Sequence, residues 1–226
     1  KYHFIPTIDV IEEIRANNWY PVNVAVANVR DEEKEGFQQH CVRFRHFEDL
    51  LNPKDNAVEL LLFNSHDRSK AFSISAGIFR FVCANGLVIS DNVFETYKIT
   101  AIKPKLMEKI NKLESITLNQ SEKESFAKYS IPLRFEEHLE INHNDLLIPH
   151  RVEDSKDDLY TVLNVIQENL LRGNISGINK DTKRRFTSKE ITSISKDTEV
   201  NKGIWDIAEK IASIKDSSYC SMAIAA

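Results

Sequence analysis

Apolar residues recur at every second position in the first third of the chain and at every third or fourth position after Pro104. The two periods demand different partners. A period of two places side chains on alternate faces of a strand, whereas spacing of three and four builds one stripe along a helix. Val22, Val24 and Val26 fall on one face of a predicted half-buried strand, with Asn23, Ala25 and Ala27 on the other. A second strand alternates Gln39, Cys41, Arg43 and Arg45 with His40, Val42, Phe44 and His46, and the charged run Asp31–Glu35 with Gly36 turns the chain between them. An acidic loop is expected over Glu48–Asn56, then an apolar strand over Val58–Phe63 with a hairpin partner at Ala71–Ser75. Gly77–Ile89 is nearly continuous in apolar residues and fits a buried strand or a short helix, with Gly86 marking a turn or an end. Ahead of the strands, Ile8, Ile11 and Ile14 with Val10 predict a helix that starts near Thr7 and stops at Asn17–Asn18.

Beyond Pro104, Lys105–Leu113, Ser121–Tyr129, Asp157–Leu171 and Val200–Ile214 all carry helical spacing. Asp157 and Asp158 suit the first turn of the long helix, and Arg172–Gly173 its end. Asn174–Thr198 is polar and basic and reads as a long loop, which in a compact protein is a functional feature or disorder. The expected fold is α+β: an N-terminal helix, an antiparallel sheet of four to five strands, and a helical C-terminal half. It is expected as one domain over 1–226, sheet-rich in 1–103, helical in 104–216, with a tail at 217–226.

With 42% hydrophobic and 28% charged residues the chain has the make-up of a folded protein,. No apolar run approaches the roughly 20 residues that cross a bilayer. Three cysteines, Cys41, Cys83 and Cys220, form no CxxC pair, and a reducing cytoplasm is the expected location. No phosphate-binding glycine motif and no HExxH or Cys/His cluster occurs, so neither a cofactor nor a metal is implied. His138 and His143 beside Glu136, Glu137, Glu140 and Asp145 read as a solvated acidic loop ahead of a cation chelate.

Net charge is −4, yet its distribution is uneven. Eight carboxylates face three basic residues over 134–158, and seven basic residues face two acidic ones over 171–196. Such a pair of stretches either docks on itself or presents a phosphate-binding surface. The nucleic-acid candidates are Arg43 and Arg45 on their strand, and Lys183, Arg184, Arg185 and Phe186 in the loop, where cations would neutralise phosphates and a ring would stack on a base.

Three strings carry a family resemblance: VELLLFNSHDRSKAF, GIFRFVCANGLVIS, and DDLYTVLNVIQENLLRGNISG with NKGIWDIAEKI downstream. Over nearly its whole length the chain resembles the family known as domain of unknown function 932, whose members occur in prophages, plasmids and other mobile elements. That resemblance implies a mobile-element setting and no established catalytic residue. The family carries an additional N-terminal segment and, after the Asn-Ser-His-Asp string, a Gly where this chain has Arg68. The tight turn expected there must be made by a non-Gly residue.

The string itself offers an enzyme reading. His66 is placed as a general base oriented by Asp67, or as a metal ligand, with Ser65 as nucleophile. The alternative is a turn in which Asn64 and Asp67 bind backbone while His66 packs. Arg80, inside an apolar run, needs a carboxylate such as Glu59 or Asp67, backbone carbonyls, or a phosphate. Cys83 reads as a core thiol, and Asn85 completes the candidate set. The leading expectation is a non-enzymatic DNA-binding protein, handling single strands in recombination or replication. A basic antiparallel sheet followed by helices is loosely similar to the single-strand annealing recombinases, whose rings leave homo-oligomerisation open. A hydrolase or nuclease centred on His66, Asp67, Arg80 and Asn85, and a protein-interaction module serving anti-defence, are the alternatives.

Overall fold

The computed structural model describes residues 4–29, 32–53, 56–80, 85–88 and 96–224, and for 32, 85–88, 96–103, 105 and 218–224 the backbone alone. The chain divides into two compact units, 1–106 and 107–226. Both combine helices with an antiparallel sheet, so the α+β expectation holds.

In the first unit, α1 (Thr7–Ala16) leads into β1 (Trp19–Val26) through Asn18, which takes the left-handed conformation that Asn tolerates (φ 64°),. There follow β2 (His40–His46), α2 (Phe47–Leu51), β3 (Asn56–Asn64), β4 (Ser73–Arg80) and β5 (Asn85–Val88). The sheet order is β1-β2-β3-β4-β5. The central strand β3 is buried on both faces from Ala57 to Asn64, which accounts for its unbroken apolar run,. Burial of Leu60, Leu62 and Phe44, none of them measurably exposed, makes the sheet core.

Three expectations change. First, Val22, Val24 and Val26 do not face the core. A register shift between Pro21 and Asn23 interrupts the alternation on this edge strand, and Val24 and Val26 are 60% and 52% exposed,. Secondly, the acidic segment after β2 is not all loop, because Phe47–Leu51 forms α2, capped by the His46 ring accepting from the Glu48 N–H. Thirdly, Gly77–Arg80 completes β4 and Asn85–Val88 is β5, so the ambiguous run is strand there, with Gly86 paired to Phe79. Cys83 lies outside the described residues.

The chain crosses into the second unit within α3 (Thr96–Glu114), which starts ahead of Pro104 and contains it. Then come α4 (Gln120–Ser130), β6 (Leu139–Ile141), α5 (Leu159–Arg172), β7 (Ser176–Asn179), β8 (Arg185–Thr187) and α6 (Ile194–Ile224). Helix α5 ends at Gly173 as expected, but it starts after both Asp157 and Asp158, so Asp158 is its cap and no acid lies in its first turn. The Asp158 carboxylate accepts from the Thr161 N–H at 2.8 Å, and Gly173 closes the helix with φ 79°,. Helix α5 is buried from Leu159 to Leu171, among Phe126, Leu146, Val200, Ile204 and Trp205. Its one carboxylate in that span, Glu168, is held by Arg151 and Arg172. Strands β6, β7 and β8 make a second sheet in that order.

Candidate nucleic-acid interface

The basic stretch is not a loop throughout. Its middle folds into a hairpin, β7–β8, whose strands of four and three residues pair Ser176 with Thr187, Gly177 with Phe186 and Ile178 with Arg185. Asn179 forms the turn. Its side-chain oxygen accepts from the N–H groups of Asp181 (3.0 Å) and Thr182 (2.8 Å), and its backbone oxygen accepts from Lys183 at 2.8 Å,. Lys183 adopts φ 57°, a left-handed position filled without glycine. The hairpin is fixed at its base, where the Arg134 guanidinium donates to the Leu171 and Lys189 carbonyls. Burial lowers the pKa of that guanidinium from its ordinary value.

Alternation across this sheet sorts its residues. Phe186 packs over Gly177, 6.4 Å from the Phe135 ring, and so anchors the hairpin. Lys183, Arg184 and Arg185 are exposed. No carboxylate among the described residues forms an ion pair with any of the three. Lys180 donates to the Glu137 carbonyl at 2.7 Å and keeps its charge beside them.

Arg43 and Arg45 have a different setting. Both reach across to Glu59 on β3: Arg43 Nε donates to Oε2 at 2.6 Å and Arg45 Nη2 to Oε1 at 2.6 Å. The Phe79 ring lies 4.4 Å from Arg43 Cζ and 5.2 Å from Arg45 Cζ,. Two partly buried cations over one buried carboxylate and a ring are a packed cluster of the sheet. Glu59 faces Gly77 across the β3–β4 pair, three residues from Arg80, so Arg80 lies on the opposite face from the carboxylate the sequence offered it,.

The enzyme candidates separate into two ends of the first sheet. Arg80 pairs with Asn56 and Asn85 at one end of β3, while His66 and Asp67 follow Asn64 at the other. Eight strand residues apart means about 25 Å at roughly 3.3 Å per residue. They share no cleft. Asn64–Lys70 is the turn: the Asp67 carboxylate accepts from the Ser69 N–H at 2.9 Å, and Ser65 Oγ bonds both N–H and C=O of Lys70. Hydrogen bonds from Ser69 hold the Asp67 carboxyl below its usual range.

What sequence reading missed here is the partner of His66. Thr7 Oγ1 lies 2.8 Å from His40 Nε2 and 3.4 Å from His66 Nε2, and accepts from Asn64 Nδ2 at 3.1 Å. The Phe4 ring stacks 4.8 Å from His66. The cluster joins residues up to 62 positions apart, so no local spacing announces it. Burial, and then the neighbouring His40, lower the His66 pKa from the ordinary imidazole value,.

The outer face of the second sheet was also not legible. Glu140, Ile178 and Arg185 form one row across its three strands, with Ser176 and Thr187 paired in the next. These line a concavity of about 670 Å³ together with Asn142, His143 and Asp145. Among the described residues no three His, Cys, Asp or Glu side chains are grouped to hold a metal ion, and no helix is long and apolar enough to cross a membrane.

An α+β chain with this strand-end turn and this buried α5 finds its relatives by sequence. The chain belongs to the family described as Domain of unknown function (DUF932), whose model matches residues 1–205. It is similar to two proteins of Escherichia coli (strain K12), UPF0380 protein YfjQ and UPF0380 protein YafZ. Each is 29% identical over 228 residues, covering 93% of this chain and 82% of the relative. No solved structure matches.

Proposed function

We propose that this protein binds nucleic acid through the β7–β8 hairpin, in the replication or recombination of mobile DNA. One observation carries the reading: Lys183, Arg184 and Arg185 stand exposed at a fixed hairpin turn without a carboxylate partner among the described residues, while Arg43, Arg45, Arg151 and Arg172 are all paired. In a chain of net charge −4, an unneutralised cluster of this kind is kept against the average. Phosphates are its natural counter-charge, since each contact releases condensed cations from the nucleic acid. A turn pinned by Asn179 presents these side chains at little ordering cost.

The test is fluorescence anisotropy with labelled single-stranded and duplex DNA across a salt series, comparing the wild type with Lys183→Ala, Arg184→Ala and Arg185→Ala combined. The expected result is salt-dependent binding that the triple variant loses. Removing about three phosphate contacts also lowers the log–log salt slope by roughly 2 to 3. Absence of wild-type binding at low salt, or undiminished binding by the triple variant, overturns the proposal.

A further inference from the structure

We propose that the outer face of the β6–β7–β8 sheet seats one unpaired nucleotide, which deepens the reading of the hairpin above and rests on it. The row Glu140–Ile178–Arg185 places a cation on one edge strand, a carboxylate on the other and an aliphatic side chain between them. Adjacent strands lie about 4.8 Å apart, so the two charged residues stand on backbones roughly 10 Å from each other. They form no ion pair, and a concavity of about 670 Å³ opens over them.

That spacing and polarity select the ligand. Arg185 belongs both to the basic turn and to the concavity, so a phosphate chain held by Lys183, Arg184 and Arg185 enters the concavity from the β8 side. Glu140 and Asp145 repel phosphate at the far side. As acceptors alone, they suit the amino groups on a base edge. Ile178, at the centre of the row and 39% exposed, offers an apolar floor to the flat of a base,. The Ser176 and Thr187 hydroxyls donate and accept in the neighbouring row, where a sugar or base edge lies,. A base stacked inside a duplex cannot reach such a floor without leaving its helix, so the site discriminates for single strands.

The experiment compares three DNA probes of equal length in the anisotropy assay: a single strand, its duplex, and a single strand of abasic sugar-phosphate. The abasic probe retains the phosphates and lacks the bases. With base stacking at about 1–3 kcal/mol, the wild type should prefer the single strand over the abasic probe by roughly 5- to 150-fold. Ile178→Ser, which removes the apolar floor without adding a charge beside Arg185, and the isosteric Thr187→Val should both shrink that ratio while leaving abasic binding in place. Circular dichroism identifies folded variants, and Thr187→Val carries the test where Ile178→Ser fails to fold. Equal wild-type affinity for all three probes, with the Lys183, Arg184 and Arg185 variant losing all of it, refutes the nucleotide seat and leaves the hairpin reading standing. No wild-type binding to any probe removes both.

Discussion

The Glu59 carboxylate, 2% exposed, is shared by two guanidinium groups, with Arg43 Nε and Arg45 Nη2 each 2.6 Å from one of its oxygens. The Phe79 ring lies against both guanidinium groups. Removing the carboxylate takes this shared partner from both cations at once. Glu59→Ala should therefore destabilise by about 3–5 kcal/mol, and more than Arg45→Ala, after which Arg43 still satisfies Glu59. Urea midpoints of the two variants give the order. In the anisotropy assay Arg45→Ala should bind DNA as the wild type does, because its charge is committed within the sheet. A loss of binding equal to that of the hairpin variant would move the interface to the first unit.

Acid should loosen the N-terminal strap of α1. His66 has its pKa lowered by burial and by His40, so the unfolded chain binds its proton more readily than the folded one. Stability from this group is complete above the ordinary imidazole value of 6.5 and is lost as pH falls through the lower folded value,. Protonating His66 sets a cation beside the His40 ring, with centroids 5.6 Å apart, around a single Thr7 hydroxyl. Thermal melts from pH 8 towards pH 5 should show a falling midpoint for the wild type and a flatter profile for His66→Gln. The carboxyls of Asp67 and Glu122, both held low, lose their contribution only in stronger acid, so the two effects separate along the pH axis.

Sequence shows an element when its pattern is long and one-sided or wholly buried. β3 and α5 qualify, the first as an unbroken apolar run and the second through Asp158, Gly173 and helical spacing between them. β1 misled because one irregularity at Pro21–Asn23 is enough to undo a period of two,. β7 and β8 are too short, at four and three residues, for alternation to stand out among polar neighbours. The role of Arg43 and Arg45 depended on which strand lies beside them and in what register. Glu59 is fourteen to sixteen residues away, and only the sheet brings it opposite Arg45.

Arg68 is the place where family comparison foresaw backbone geometry. It adopts φ 67°, the left-handed turn that a glycine makes without strain. That conformation costs a residue with a Cβ about 1–2 kcal/mol, against which the extra freedom of glycine in the unfolded chain sets about 0.4–1 kcal/mol. Arg68→Gly should leave stability unchanged or raise it by up to about 1.6 kcal/mol, whereas the β-branched Arg68→Val should lower it. Chemical denaturation of the pair reads the order, and a destabilised glycine variant would show that the Arg68 side chain contributes more than its backbone strain.

Gly177 tests whether the hairpin is a rigid platform. A Cβ built there would stand 2.6 Å from Phe186 Cε1 and 2.7 Å from the Glu140 carbonyl oxygen. The ring has a route away only by giving up its contact with Phe135, and the carbonyl is backbone of the neighbouring strand. Gly177→Ala should therefore cost about 1–3 kcal/mol through overpacking. The loss should be local, since β6, β7 and β8 form a small three-stranded sheet of their own. Amide exchange should accelerate at Ile178 and Phe186 while α5 stays protected. Lys183, Arg184 and Arg185 remain in the variant, so weaker DNA binding in a protein with an intact α5 would trace affinity to how the charges are held and not to their number alone. Binding equal to wild type would mean that three mobile cations suffice and that the Asn179 turn adds nothing to the interface.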